Sequence, residues 1–296
     1  MQCIINGKEY KYVTDVKNND TIRHSFCELS KNVFGLDFEP WYQGGYWGDL
    51  YIPHALMDNN TVVSNVSVNI LDMQVNNQQK RFIQIGTVMT EPLYRSQGLS
   101  RWIMDSVLSV WKDKCDGIFL FANSSVLEFY PKFGFESVSE CQFQKHIDQN
   151  QCGFRKLDMN VPDDKKLLLN HYRYSNPYSA LTMENNEGLL MFYCSQFMKD
   201  NIYYIEEYDT VIVAEQDGER LLCYDIFSDK PHELDYILGG LINSNKKKTI
   251  LGFTPKTVSD WNISEIQEDD TTLFLLSGKY NPFKIKKMMF PLLSHA

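Results

Sequence analysis

No two of the chain's seven cysteines form a Cys-x-x-Cys pair; Cys3, Cys27, Cys115, Cys141, Cys152, Cys194 and Cys223 are scattered and odd in number. That argues against a metal site or a disulfide framework and leaves reduced thiols in a cytoplasm as the expectation. No apolar run approaches the ~20 residues that a membrane-spanning helix needs. The opening "MQCIINGKEYKYV" lacks the basic-then-apolar order of a secretion signal. Basic charge is also scarce. The formal net charge of -9 argues against a nucleic-acid partner and suits a cationic or amine-bearing one. Neither G-x-G-x-x-G nor G-x-x-x-x-G-K-[ST] occurs, so the common dinucleotide and P-loop cradles are excluded. No low-complexity linker divides the chain.

What is present fits two closely packed domains, since 296 residues with 43% hydrophobic content can bury two cores. "NDTIRHSFCELSKNVF" predicts a helix over 19–34, with Asp20 as its cap and Ile22, Phe26, Leu29 and Val33 on one face. "GLDFEPWYQGGYWGDL" reads as an aromatic loop or a broken helix. Asp58-Asn59-Asn60 marks a hairpin. "RFIQIGTVMT" reads as a largely buried strand. Residues 98–114 have helical apolar spacing. "GIFLFA" is another buried strand, "NSSVLEFYPKF" a short helix, and the runs 136–146 and 152–159 a closing hairpin. From 161 the same order of elements returns, with helices near 163–174, 186–198 and 231–242 and a hairpin at Asp217-Gly218. We read residues 161–296 as a degenerate second copy of 1–160. An unrelated α+β cap is the alternative.

The chemistry centres on "EPLYRSQGLSR", residues 91–101, where a strand becomes a helix. The first turn of a helix has unpaired N–H groups and the positive end of the dipole, which together hold an anion such as a pyrophosphate. Gly98 removes the Cβ that would block close approach. Ser100 is small and offers a hydroxyl, and Arg95 and Gln97 add charge and a hydrogen bond.

"VMTEPLYRSQGLSRWIM" resembles motif A of the GNAT superfamily of N-acetyltransferases, a strand followed by Arg/Gln-x-x-Gly-x-Gly/Ala and a helix. Here Arg95, Gly98 and Ser100 match, with serine in place of the usual Gly or Ala. "FANSSVLEFYPKFGF" is similar to motif B, with Asn123 and Tyr130 at the matching spacing. The resemblance covers roughly residues 19–159 directly and the rest by element order alone. It implies a GNAT fold: a mixed central sheet flanked by helices, followed by a second GNAT-like half.

It also implies acetyl-coenzyme A as cofactor and direct attack by a primary amine of a small molecule. Backbone groups of Val88 and Thr90 would pair with the pantetheine arm. The N–H of Met89 or a neighbour would face the acetyl carbonyl. Arg95, Ser96, Gln97, Gly98, Leu99 and Ser100 would cradle the pyrophosphate, and Asn123 would anchor a pantetheine amide or simply cap the next helix. Tyr130 would give a proton to the leaving thiolate. The aromatic loop, with Glu39, Trp41, Tyr42, Tyr46 and Trp47, would wall the acceptor pocket or form a packed lid. Candidates for the general base are Glu39, Asp49, His54, Glu91, a water chain, or a carboxylate at Ala296. A coenzyme-A-binding sensor without turnover is the alternative function. Transfer of an aminoacyl group from tRNA is disfavoured by the acidic charge.

Overall fold

Two mixed β-sheets organise the chain in the computed structural model, which describes residues 1–267, 270–284 and 286–296. Asn6 and Gly7, both at positive φ, turn β1 (Gln2–Ile5) into β2 (Lys8–Val13). Helix α1 (Asp20–Phe34) is capped by Asn19, whose side chain accepts the Ile22 N–H at 3.1 Å, and not by Asp20, which occupies its first turn. The aromatic loop contains one short helix, α2 (Glu39–Gln43). Strands β3 (Tyr51–Asp58) and β4 (Thr61–Val75) form the expected hairpin, with Asn59 at φ 54°. Strand β5 (Gln78–Thr90), helix α3 (Leu99–Trp111) and strand β6 (Gly117–Ala122) make a parallel crossover.

The expected helix at "NSSVLEFYPKF" is instead two 3-10 turns, Ser124–Val126 and Tyr130–Phe133. Pro131 explains this, because it lacks an N–H and disfavours helical geometry at the residue before it. The expected closing hairpin does not form either. Strands β7 (Phe135–Val138), β8 (Cys141–Asp148) and β9 (Arg155–Lys156) all pair with partners from beyond residue 200. Alternating apolar residues mark a strand but do not name its partner.

The chain continues through α4 (Pro162–Tyr172), β10 (Leu181–Glu184) and α5 (Glu187–Phe192), the last running into a π-helical turn. Then come β11 (Ile202–Ile205), β12 (Thr210–Asp217), β13 (Arg220–Phe227), α6 (Leu234–Gly240), β14 (Lys246–Leu251), β15 (Asn262–Glu265) and β16 (Thr272–Leu276). The first sheet has the order β1-β2-β3-β4-β5-β6-β16-β7, with β10 continuing the line of β3 along β4. The second has the order β15-β8-β14-β13-β12-β11-β9.

The two sheets repeat one plan. In each, an antiparallel hairpin (β4–β5, β12–β13) leads through a helix to a parallel partner (β6, β14). The strand beside that partner is then exchanged: β16 lies between β6 and β7, and β8 lies between β14 and β15. Phe143 and Ile147 of β8 are buried in the second half's core, while Leu273 and Phe274 of β16 are buried against the first sheet. A cut at residue 160 therefore does not separate the sheets. Leu71, Phe82 and Phe119 of the first sheet share one apolar cluster with Val211, Val213 and Phe227 of the second. Among the described residues no helix is long and apolar enough to cross a membrane.

Candidate functional site

Strands β5 and β6 pair in parallel from Phe82↔Gly117 to Ile85↔Leu120 and then part. At that point β5 bulges: its partners on β4 step from Ser67↔Gly86 to Asn65↔Met89, and Thr87 takes φ 47°. Asn65 Nδ2 donates to the Thr87 carbonyl at 2.9 Å, and the Tyr51 hydroxyl bonds Thr87 Oγ1 at 2.7 Å, which fixes the bulge. The Glu91 N–H donates to Val63 O on β4 at 2.9 Å. Ladder alternation then sends Met89's own N–H to β4 as well and turns Thr90's toward β6, so the neighbour of Met89 is the one that faces the gap.

A cavity of about 1180 Å³ opens where the strands part. Val88, Met89 and Thr90 line one wall, and Asn123 and Tyr130 line the other. Arg95, Ser96, Gly98, Leu99 and Ser100 line the end formed by the start of α3. Gly98 sits at the helix N-cap with φ 81° and provides no side-chain cap for the first-turn amides, and a Cβ built there would meet Asn6 Nδ2 at 3.4 Å. Arg95, Arg101 and Lys132 stand around this cavity with one acidic side chain, Asp105. A locally cationic rim on an acidic chain suits a polyphosphate. The sequence reading missed Arg101 and Lys132, whose only signal was their place beside the two motifs.

Two cradle residues behave differently from expectation. Gln97 does not line the cavity; it donates to Leu93 O at 3.0 Å, and its carbonyl accepts Asn6 Nδ2 at 2.8 Å. It ties the cradle to the β1–β2 turn. Ser100 Oγ bonds Thr90 Oγ1 at 2.7 Å, which in turn bonds Ser64 Oγ at 2.8 Å, so this hydroxyl links α3 to β5. The Asn123 side chain accepts the Ser125 N–H at 3.2 Å and so caps the first 3-10 turn while still lining the cavity. Tyr130 is only 4% exposed. Its ring packs on Phe129, Phe135 and Phe274, and burial pushes its phenol up to about 12. Phe274 comes from β16, so the exchanged strand positions this side chain.

A second cavity of about 440 Å³ meets the first at Thr87 and Ala296, which line both. Trp41 and Tyr46 line it, as expected of the aromatic loop, together with Phe38, Tyr51 and, from α5, Phe192. Glu39, Tyr42 and Trp47 do not line it. Glu39 Oε2 instead accepts from Arg23 Nε at 3.0 Å, and Tyr42 lies under the Arg23 guanidinium at 3.7 Å. Trp47 is buried in the core around Phe26. Arg23 is itself 3% exposed, so these contacts are what make its burial tolerable.

The general-base candidates separate clearly. His54 is buried, bonded through Nδ1 to the Tyr12 hydroxyl, and pushed down to about 4 by burial; it reaches neither cavity. Glu39 is held by Arg23, and Glu91 lines neither cavity. Asp49 lines the second cavity but pairs with Lys17 at 2.6 Å. Ala296 lies at the junction, its oxygen accepting from Gln84 Nε2 at 3.1 Å; a Cβ on Gly86 would come within 2.4 Å of it.

The corresponding place in the second half is filled. Strands β13 and β14 pair as far as Cys223↔Leu251, and the Gly252 N–H then closes on Cys223 O at 2.7 Å. Leu292 donates its own N–H to Gly252 O at 2.8 Å and packs against that glycine. Beside it the half-buried Asp225 accepts from Asn176 Nδ2 at 2.6 Å; desolvation of its carboxyl raises it to about 7. A raised carboxyl favours the fold below its unfolded value and loses that contribution as pH rises toward its folded value. Stability should thus decline between about pH 4 and pH 7 through this group. Asp225→Asn keeps an acceptor for Asn176 and should flatten the decline; melting curves across that range check it.

Residues 18–138 match the family model for an acetyltransferase (GNAT) domain. No curated protein sequence matches the chain. Among solved structures it is similar to a probable N-acyltransferase from Enterococcus faecalis V583 at 13% identity and a TM-score of 0.62, over 90% of this chain and 72% of that one. It is similar to a GCN5-related N-acetyltransferase from Anabaena variabilis ATCC 29413 at 12% identity and a TM-score of 0.55, over 89% and 72% of the two chains. A GCN5-related N-acetyltransferase from Kribbella flavida aligns at 13% identity and a TM-score of 0.54, over 90% and 72%.

Proposed function

From a chain that carries a GNAT acetyltransferase domain over residues 18–138, we propose an N-acetyltransferase that moves an acetyl group from acetyl-coenzyme A to a primary amine of a small molecule. One observation carries this reading: an uncapped helix N-terminus with Gly98 at φ 81°, facing the gap where β5 and β6 part. An anion fits the first, and a thioester-bearing arm fits the second.

Acetyl-coenzyme A supplies an activated acetyl group. The first-turn amides of α3, with Arg95, Arg101 and Lys132, hold its phosphates. The Thr90 amide offers the arm a strand edge to pair with, while its carbonyl accepts from Arg95 Nε at 3.2 Å. The amine nitrogen forms its bond to the acetyl carbon as the carbon–sulfur bond breaks; the amine gives its proton to water, the sulfur gains one, and the group that supplies it is reprotonated from that water. Tyr130 donates that second proton. The phenol stays protonated far above neutral pH, so the donor is always loaded.

Release of free thiol from acetyl-coenzyme A, with and without a panel of primary amines, tests the transfer. Binding of acetyl-coenzyme A with no amine acetylated would favour a coenzyme-A sensor instead. The filled gap at Leu292 and the carboxylates of "DIFSDKPHELDY" oppose a second pyrophosphate. Calorimetry should therefore give one acetyl-coenzyme A per chain, bound in the first half; a stoichiometry of two would contradict the placement.

A further inference from the structure

We propose that the second cavity selects a single primary amine carried on an uncharged aromatic body with one hydrogen-bonding oxygen, rather than a polyamine or a peptide lysine. This rests on the acetyl-transfer reading above and names its acceptor class. Three observations lead there.

The first is shape. The cavity is built from both halves of the chain. Trp41 Nε1 donates to Gly188 O at 2.7 Å, and a Cβ on Gly188 would come within 2.5 Å of Tyr46 O, so α5 is clamped onto the aromatic loop. A volume of about 440 Å³ between such walls suits a compact ligand. A peptide would need the two walls to separate.

The second is charge. Two side-chain carboxylates reach this cavity, and both are already paired; Ala296 lines it as well, at its junction with the first cavity. Asp49 holds Lys17 at 2.6 Å, and Glu187 holds Arg173 at 3.0 Å. A polycation would bring several ammonium groups to a place where, among the described residues, no unpaired side-chain carboxylate receives them and Ala296 could meet one at most. A single ammonium loses its proton more readily among the faces of Phe38, Trp41, Tyr51 and Phe192, because an apolar surrounding disfavours the charged form. The neutral amine is the one that attacks.

The third is Asn69. It stands on β4 between Tyr51 and Gln84 in the register, lines the cavity, and is 2% exposed. Its Nδ2 makes no hydrogen bond among the described residues. A buried amide without a partner is costly, and a ligand oxygen inside the cavity would satisfy it. An amine with a hydroxyl on its body meets both the aromatic wall and this donor.

Calorimetry on the chain saturated with coenzyme A, with no turnover possible, decides the matter. Phenethylamine, its 2-, 3-, 4- and β-hydroxy derivatives, spermidine and a lysine-containing peptide are titrated in turn. Aromatic amines should bind at least about tenfold more tightly than spermidine or the peptide. At least one hydroxylated form should exceed phenethylamine by about tenfold, and Asn69→Ala should erase that difference. Phe192→Ala, at a half-buried position, should weaken the aromatic amines by about tenfold with coenzyme A affinity unchanged, which also reports that the variant is folded. Tighter binding of spermidine or peptide, or an Asn69→Ala variant that keeps the preference for the hydroxylated amine, would overturn the proposal. Thiol release is scored separately. Aromatic amines that bind as expected but are never acetylated would refute the transfer reading and leave the ligand class standing.

Discussion

Tyr130→Phe should lower kcat by ~10²–10⁴ while the KM for acetyl-coenzyme A stays nearly constant. That is the range for loss of a general acid. The substitution removes one hydroxyl and keeps the ring, so the packing on Phe129, Phe135 and Phe274 survives. The proposed cofactor contacts lie on β5, at the start of α3 and on the Lys132 ammonium, and none of them uses that hydroxyl. The loss therefore belongs in the transition state and should appear in kcat. Because burial holds the phenol near 12, the wild-type activity should show no alkaline loss from this group below about pH 10. If Tyr130 were only a packed aromatic, the variant would keep full kcat and lose a little stability. Steady-state kinetics and a melting curve on the same sample separate the two outcomes.

The second large effect is expected at Gly98. Gly98→Val should weaken acetyl-coenzyme A binding by on the order of 100-fold or more, with the fold retained. Two causes add. The backbone is at φ 81°, where a β-branched residue is strained by about 1–3 kcal/mol. The new side chain would also stand at the uncapped end of α3, where, among the described residues and its chain neighbours aside, the one atom within 4 Å of its Cβ is Asn6 Nδ2 at 3.4 Å. Its methyl groups would occupy the space offered to the pyrophosphate. Gly98→Ala separates the causes, since it carries most of the strain and little of the occlusion. Calorimetry showing unchanged affinity in a folded Gly98→Val variant would refute the cradle.

The local elements were legible in the sequence because their signals are local. Asn59 and Gly218 mark hairpins and Gly98 opens a helix, all through their own backbone preferences, whereas the effect of Pro131 on the run after Asn123 was not read. Trp41 and Tyr46 were legible as pocket residues because they follow the first helix in an aromatic run. What escaped was pairing over long separations. Strands β8 and β16 have the same alternating pattern, and nothing in it says which sheet will bury each. Glu39 and Tyr42 looked like pocket residues because the partner that withdraws them, Arg23, lies on α1 and is inward-facing against expectation for an arginine. Gln97 matched the motif by spacing, yet the β1–β2 turn, invisible to that motif, takes it away from the cavity. Asn69 gave no signal at all, since a lone asparagine within a strand pattern says nothing about whether it has a partner.

The exchanged strands also govern the order in which the molecule can be completed during synthesis. The row between β6 and β7 is filled by residues 272–276, so Leu275 can find Phe119 and Glu136 only after every element from β7 to β16 has left the ribosome. Until then β6 and β7 present an open slot to the surroundings, with Phe135 and the ring of Tyr130 beside it. Exposed strand edges are templates for wrong partners, and contacts this distant in sequence form late. The last strand to arrive therefore both closes the sheet and seats the ring of the proposed proton donor. A nascent chain would thus bear the cradle of α3 well before it has the wall that Phe274 supplies to Tyr130.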